Sequence, residues 1–348
     1  MKERYVFGAL TRISDLATVP FTVRPLPKAN WANGDYVVGR VLSAGRRSDR
    51  IELTTGRMAQ LMPGDAVVGA FGVRRATLEA VGDWQSIQTD GLMEDMTNAG
   101  FFGRVTSRSV LIPSQPRLVY QGHVMRDGRK ICMGDFVPDI APHPYRCPTI
   151  LIIGTSMSAG KTTVARAIIH LLKEMGHRVI GTKLTGAGRY RDILSMQDAG
   201  ADAIFDFVDA GLPSSVLPPE EFRTALRQLL SLIAAQSPDV VVAEAGASPF
   251  EPYNGAVVLD EIADQVKFTV LCASDPYAVI GVSQSFGLHP DIVSGITTNT
   301  TAGIELVEKL AHVPALSLTA EDALDKLQPL LSAALSPALT RSGTLDPI

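Results

Sequence analysis

The residues best suited to chemistry lie in one run of small side chains, Gly154-Thr155-Ser156-Met157-Ser158-Ala159-Gly160-Lys161-Thr162-Thr163, which follows the apolar segment Thr149–Ile153. Glycines and small residues let a backbone bend tightly, so that its N–H groups converge on phosphate oxygens, and a helix that begins there adds its positive end. Lys161 supplies a point charge for the outer phosphates and the Thr162 hydroxyl a ligand for Mg²⁺. The run is therefore predicted to bind the phosphates of a nucleotide through all of its residues from Gly154 to Thr163.

Two lysines are predicted to act on a transferred phosphoryl group. Such a reaction needs charge neutralisation and positioning more than covalent help from the protein. Lys161 belongs to the glycine-rich run, and Lys183 directly follows the apolar segment Val179–Thr182. Ligands of open α/β sheets collect at the carboxyl ends of the strands. Lys161 and Lys183 are the predicted catalytic residues, and the alternative for Lys183 is a surface lysine.

The order of motifs resembles that of dethiobiotin synthetase over about residues 149–318. Five residues separate Gly154 from Gly160, one more than in the common form of the loop, and that longer loop is found in this family. The resemblance continues at four further segments: Gly181 to Gly188, Asp192 to Gln197, Val240 to Ser248 and Thr298 to Thr300. It implies a P-loop fold, ATP and Mg²⁺ as cofactors, a metal-binding role for Asp192 and an adenine-binding role for Asn299.

Departures from that family fall in the part of its pattern that binds the substrate. Its acidic loop residues are Ser156 and Ser158 here, and Ala187 and Ala245 replace a serine and a glycine. Synthesis of dethiobiotin itself is therefore not expected. A weaker resemblance links the loop and the segment from Glu244 to a P-loop family that includes a D-glutamate N-acetyltransferase.

Hard oxygen ligands for Mg²⁺ are predicted from three side chains, Thr162, Asp192 and Glu244. Glu244 ends the valine-rich segment Val240–Ala243, where an unpaired carboxylate is costly unless it has a function. Asp192 has helix capping as its alternative role. Asp206 is the alternative metal ligand.

Three further residues are predicted to contact ligands. The Asn299 amide both donates and accepts, as the edge of adenine requires, although a turn-forming asparagine is an equal alternative. Arg189 and Arg191 lie in a glycine-rich segment, and their guanidinium groups suit a carboxylate or phosphate of a substrate. His123, Cys132, His143 and Cys147 match no compact zinc spacing, so no zinc site is predicted.

The elements that position these residues fall into two regions. Residues 1–145 contain short β-rich segments, among them 35–42, 65–71 and 109–112, with turns such as Asp127-Gly128, and predict a small all-β barrel or sandwich. Residues 146–336 alternate apolar segments with helical periodicity and predict an α/β fold with a doubly wound, mostly parallel sheet. Predicted strands in this region include 292–298 and 315–318, and a tail is predicted for residues 337–348.

Composition restricts the class of protein. With 32 basic and 36 acidic side chains and a net charge of −4, the chain lacks the basic excess that a nucleic-acid-binding protein needs. Nucleic acid is therefore not an expected partner. No apolar run is long enough for a membrane span or a signal peptide, so a membrane is not an expected partner either, and the expected location is the cytoplasm.

The sequence favours an ATP- and Mg²⁺-binding enzyme that activates a small carboxylate or carbamate by phosphoryl transfer. The expected partners are the nucleotide, a small-molecule substrate and further copies of the chain in a homo-oligomer. Two alternatives remain at this point: an N-acyltransferase that uses acetyl-coenzyme A, and a nucleotide-switched binding protein.

Overall fold

A computed structural model describes residues 4–43, 49–246 and 248–342. Contacts group the chain into two compact units, each discontinuous in sequence. The first comprises Met1–Ile140, Gly186–Arg191 and Phe207–Ala225, and the second comprises Ala141–Thr185, Asp192–Asp206 and Leu226–Ile348. The domain division at residue 145 stays a prediction.

The first unit is built on β-strands: β1 (Tyr5–Phe7), β2 (Thr22–Arg24), β3 (Tyr36–Ser43), β4 (Arg50–Glu52), β5 (Met58–Gln60), β6 (Ala66–Phe71), β7 (Val73–Arg75), β8 (Ala80–Asp83), β9 (Leu92–Asp95), β10 (Phe101–Arg108), β11 (Arg117–Arg126) and β12 (Arg129–Lys130). Antiparallel pairs run from β6 through β3, β11 and β9 to β10. A parallel pairing of β10 with β6 joins the two ends of this series. The result is a closed β-barrel, because the pairing of β10 with β6 leaves neither strand as an open edge of this series.

Large apolar side chains fill the barrel. Phe71 and Phe102 are fully buried and belong to one cluster with Val37, Met93 and Leu118. These residues come from β6, β10, β3, β9 and β11, so each strand of the ring contributes to one core. Burial of such side chains is the main favourable term in the free energy of folding.

Asp95, at the end of β9, organises the tight turn that leads into β10. Its buried carboxylate accepts the backbone N–H groups of Ala99, Gly100 and Phe101 at 3.2, 3.0 and 3.1 Å. Asn98 and Gly100 have φ values of 62° and 78° in this turn, and both residue types tolerate the left-handed region. Desolvation of the buried carboxylate raises the pKa of Asp95 to about 6 despite these hydrogen bonds.

Two segments from later in the sequence complete the first unit. The Glu52 carboxylate accepts the backbone N–H groups of Tyr190 and Arg191 at 2.9 and 2.6 Å. The Ser214 hydroxyl donates to the carbonyl of Val73 at 2.7 Å. A β domain cut from the chain near residue 140 would therefore lack part of its own structure.

The second unit contains a parallel sheet of β13 (Thr149–Gly154), β14 (Val179–Thr185), β15 (Ala203–Asp206), β16 (Val240–Ala245), β17 (Val266–Cys272) and β18 (Ile292–Ser294). Their spatial order is β15-β14-β16-β13-β17-β18, and every pairing is parallel. The chain therefore winds from β13 in both directions, which confirms the predicted doubly wound α/β class.

Helices connect these strands: α1 (Lys161–Glu174), α2 (Tyr190–Asp198), α3 (Pro219–Ala234), α4 (Gly255–Glu261) and α5 (Pro276–Phe286). Further helices follow β18: α6 (Thr301–Ala311) and α7 (Ala323–Ser342). The periodic residues of α1, among them Val164 and Ile168, are buried as predicted. No helix in the described ranges is long and apolar enough to cross a membrane. α7 continues past residue 337, where a tail is predicted, and residues 343–348 lie outside the described ranges.

Some predicted strands are wrong or too long. Residues 109–112 form a turn in which Val110 and Leu111 are exposed, because β-propensity without a partner strand does not make a strand. The strand predicted over 292–298 stops at Ser294, since Gly295 takes a φ of 93°. The strand predicted over 315–318 is reduced to one bridge, between Ala315 and Val293.

The elevated pKa of Asp95 predicts a specific pH dependence of stability. The folded chain holds this proton more tightly than an ordinary carboxyl, whose pKa is 3.8. The contribution of Asp95 to the free energy of unfolding should therefore fall as the pH rises from about 4 to about 6 and stay constant above that. Chemical denaturation at several pH values gives the free energy of unfolding of the wild type and of Asp95→Asn. The difference between these two free energies should change by about 2–3 kcal/mol between about pH 4 and about pH 6. A pH-independent difference would contradict the assignment.

Candidate nucleotide-binding site

The phosphate loop connects the central strand β13 to α1. Every residue of β13 is buried, as expected for a strand covered on both faces. Gly160 precedes α1 with a φ of 99°, a left-handed conformation that glycine adopts without strain. Of the remaining predicted loop residues, Ala159 is buried, Ser158 and Thr163 are exposed, and Thr155, Ser156 and Met157 are half-buried. The predicted geometry, a strand followed by a tight loop and a helix, is present.

Lys161 folds back over the loop. Its side chain is only 3% exposed, and the Nζ atom donates to the Ser156 carbonyl at 2.6 Å and to the Met157 carbonyl at 3.4 Å. A Cβ atom on Gly154 would lie 2.6 Å from this Nζ, so a larger residue there would displace the ammonium group from this position. Burial lowers the pKa of Lys161, and the nearby Glu244 carboxylate opposes the shift. A phosphate anion would offset the lost hydration of this cation.

Residues at or just after the carboxyl ends of β17 and β18 form backbone hydrogen bonds with the phosphate loop. The Thr155 N–H donates to the Cys272 carbonyl at 2.9 Å, and the Ile296 N–H donates to the Ala159 carbonyl at 3.4 Å. A Cβ on Gly295 would collide with the same Ala159 carbonyl. Gly295 is thus part of the site, although it is not among the predicted site residues. In the sequence only one feature points to it, a glycine inside a predicted strand, which can mark a close approach of another backbone segment.

Thr162 and Glu244 are brought together as predicted. The Thr162 hydroxyl donates to Oε2 of Glu244 at 3.2 Å. Glu244 is 3% exposed, and burial raises its pKa, while Lys161 and Lys183 oppose the rise and Asp192 adds to it. A buried carboxylate beside a loop hydroxyl and two ammonium groups is an electrostatic arrangement that a dication would stabilise.

Lys183 and Asp192 form an ion pair with Nζ and Oδ2 2.5 Å apart. In the register of the sheet, Lys183 lies between Glu244 on β16 and Asp206 on β15. Lys183 is 8% exposed and Asp206 is fully buried. In this structure Asp192 therefore neutralises Lys183, while Thr162 contacts Glu244.

The residues present fit a Mg²⁺ ion held jointly with nucleotide phosphates. The described residues include no cluster of three or more His, Cys, Asp or Glu side chains suited to a metal. Mg²⁺ commonly needs only one or two carboxylates because phosphates and water complete its shell. Thr162 and Glu244 would hold the ion, which would neutralise charge on the phosphates when bound. His123 contacts Tyr120 and Asp35 instead.

Asn299 follows the short 3₁₀ helix Ile296–Thr298 and lines a cavity of about 550 Å³. Ser317, Asp322 and Lys326 line the same cavity. The chain thus passes from Ile296, which contacts the phosphate loop, to Asn299 within three residues. Asp322 is paired with Lys326, their charged atoms being 2.6 Å apart.

Arg189 and Arg191 lie in the first unit and line a different cavity, together with Glu52, Arg74 and Glu79. Arg189 forms an ion pair with Glu79 at 3.3 Å. The sequence indicated a site for an anion here, but no local pattern connects these arginines with strands more than a hundred residues earlier.

Comparisons with known proteins assign no family. No protein-family model matches the chain, and no curated protein matches it. Among solved structures, the signal recognition particle receptor FtsY from Elizabethkingia anophelis is similar with a TM-score of 0.35 and 14% identity, over 48% of this chain and 56% of that protein. The hydrogenase maturation factor HypB from Archaeoglobus fulgidus has a TM-score of 0.38 and 13% identity, over 55% and 91%. The signal recognition particle 54 kDa protein from Aeropyrum pernix K1, in complex with GDP, has a TM-score of 0.35 and 17% identity, over 60% and 52%.

The predicted resemblance to dethiobiotin synthetase, and with it the weaker one to the D-glutamate N-acetyltransferase family, is wrong. The similar solved structures given above are signal recognition particle proteins and HypB, and dethiobiotin synthetase is not among them. Short motifs in a shared order were too weak a basis for the subfamily, since many P-loop proteins share them. The P-loop fold itself is confirmed.

The close approach at Gly295 predicts a large effect of a single methyl group. Gly295→Ala should lower the free energy of unfolding by about 2–4 kcal/mol, because alanine is strained at a φ of 93° and its Cβ would collide with the loop. Gly281→Ala is the matched control, since Gly281 lies within α5 and a Cβ there meets nothing within 4 Å. Chemical denaturation should show that the control is neutral or slightly stabilising. Equal effects of the two changes would show that the close approach is not needed for the fold.

Proposed function

We propose that the second unit binds ATP with Mg²⁺ and that the protein is a nucleotide-switched binding protein. The observation that carries the proposal is the buried Lys161 ammonium group, folded over a loop that leads into α1. Desolvated positive charge and a helix N-terminus at one place are suited to a polyphosphate. Thr162 and Glu244 supply the ligands for Mg²⁺ beside it.

Adenine is the proposed base because Asn299 lines the cavity of about 550 Å³ that follows the phosphate loop along the chain. An amide both donates and accepts, which matches an adenine edge. Guanine presents two neighbouring donors, and a carboxylate suits them better. The carboxylate of Asp322 in that cavity is already paired with Lys326. These contacts support ATP over GTP.

The ion pair between Lys183 and Asp192 supports the switch. Lys183 lies at the carboxyl end of β14, where the terminal phosphate of a nucleotide would compete with Asp192 for its ammonium group. Loss of the Lys183 contact would remove one of the contacts that hold the first turn of α2, while Glu52 would still hold the backbone N–H groups of Tyr190 and Arg191. Rearrangement of a segment by phosphate contacts is a common switching mechanism.

Phosphoryl transfer to a small carboxylate or carbamate is the second candidate. It would use the same nucleotide site, with Lys161 and Lys183 stabilising the transferred group. The guanidinium groups of Arg189 and Arg191, which line a cavity of the first unit, favour it only in that they suit a carboxylate. A homo-oligomer stays a prediction.

Lys161→Ala tests the nucleotide site. ATP with Mg²⁺ at 100 times its Kd should add about 2.7 kcal/mol to the free energy of unfolding of the wild type by mass action. The variant should lose most of this stabilisation because it lacks the cation of the loop. Lys309→Ala is the matched control, since Lys309 is an exposed lysine on α6. Denaturation with and without MgATP measures the effect.

GTP serves as a second ligand in the same experiment. Stronger stabilisation by ATP than by GTP agrees with the proposed role of Asn299. Stronger stabilisation by GTP would contradict the choice of base. Stabilisation by neither nucleotide in the wild type would contradict nucleotide binding altogether.

Glu244→Gln tests the metal site. The change keeps the shape of the side chain but removes the negative charge that Mg²⁺ requires. ATP binding in the presence of Mg²⁺ should weaken about tenfold or more, whereas binding in EDTA should change little. Titration calorimetry in both conditions provides the comparison, and Glu305→Gln, on the exposed face of α6, is the control. Equal losses with and without Mg²⁺ would make Glu244 a structural residue.

A further inference from the structure

A cavity in the first unit combines charged, polar and apolar walls. Its volume is about 260 Å³, and the residues that line it all belong to the first unit. This volume suits a ligand of a few heavy atoms, smaller than a nucleotide. The turn held by Asp95 forms one wall through Met96, Thr97 and Asn98.

The two carboxylates of the cavity are already engaged. Glu79 contacts the guanidinium groups of both Arg74 and Arg189. Glu52 accepts two backbone N–H groups, from Tyr190 and Arg191. Neither carboxylate is therefore directed at the guanidinium group of Arg191.

Arg191 supplies surplus positive charge. Three arginines and two glutamates line the cavity, so one positive charge exceeds the negative ones. Among the residues that the structure describes, no side chain forms a hydrogen bond or ion pair with the Arg191 guanidinium, whose backbone N–H is fixed by Glu52. This places a bidentate donor group at the cavity with its own backbone held in position.

The remaining walls are neutral. Asn98, Ser114 and Gln115 line the cavity with side chains that have no hydrogen-bond partner within the described ranges. Met58 and Ile112 add apolar surface. A ligand with polar groups and a short apolar part is complementary to such walls.

We propose that this cavity binds a small organic monocarboxylate that carries a further hydrogen-bonding group, with Arg191 holding the carboxylate. One surplus positive charge matches a monoanion better than a phosphate dianion. The inference goes beyond the nucleotide site and does not depend on it, because no residue of the phosphate loop lines the cavity.

The test uses the full chain with Lys161→Ala as its background, so that anion binding at the phosphate loop does not contribute. The probes are L-lactate and N-acetylglycine, each compared with the corresponding neutral amide, and inorganic phosphate. Titration calorimetry or ligand-observed NMR should give a Kd of about 1 mM for at least one carboxylate, and at least tenfold weaker binding of its amide and of phosphate.

Arg191→Ala in the same background should weaken binding of the carboxylate about tenfold or more, the expected loss of a charged hydrogen bond. Arg24→Ala, an exposed arginine on β2 of the same unit, is the control and should leave the Kd unchanged. Binding that survives Arg191→Ala, phosphate binding as tight as that of the carboxylate, or no binding of either carboxylate would each overturn the proposal. A result for these probes says nothing about ATP, so the two proposals fail separately.

Discussion

The buried positive charge of Lys161 is the constraint on which the second unit depends. Its ammonium group is removed from water and satisfied by carbonyls of its own loop. This geometry requires a glycine at 154 and places Glu244 close enough to oppose the fall in the pKa of the lysine. Charges that are buried must be paired or be poised for a ligand. The neighbouring Glu244 is a buried carboxylate beside the Thr162 hydroxyl, so a buried negative charge lies close to the buried positive one, in agreement with the proposed binding of a phosphate together with a dication.

Close packing of backbone segments maintains this arrangement. Gly154, Gly246 and Gly295 are positions where a Cβ would meet the loop lysine, the Thr185 carbonyl or the Ala159 carbonyl. Each lies at or just after the carboxyl end of a strand: β13 and β16 are neighbours in the sheet, and β17 separates β13 from β18. The carboxyl ends of the strands therefore carry the phosphate loop, Glu244 and the segment that leads to Asn299. Ligands of open α/β sheets bind at these ends, where the strand order reverses.

The sequence predicted this unit well because its signals are local. A buried strand, a glycine-rich turn and an amphipathic helix are each determined within about twenty residues, and Gly154 to Gly176 shows all of them. Non-local contacts were not predictable in the same way. The capping of α2 by Glu52, and the choice of Asp192 to pair with Lys183, depend on tertiary packing that no spacing encodes. Family assignment failed for a related reason, since motif order alone does not define a subfamily.

The segment Gly186–Arg191 is a part of the first unit that is flanked in sequence by residues of the second unit. It belongs to the first unit, yet the residues just outside it, Lys183 on one side and Asp192 on the other, form an ion pair of the second unit. The chain therefore runs directly from each partner of that ion pair into the segment that carries Arg189 and Arg191. Within the first unit, the Glu52 carboxylate fixes the same segment through two backbone N–H groups.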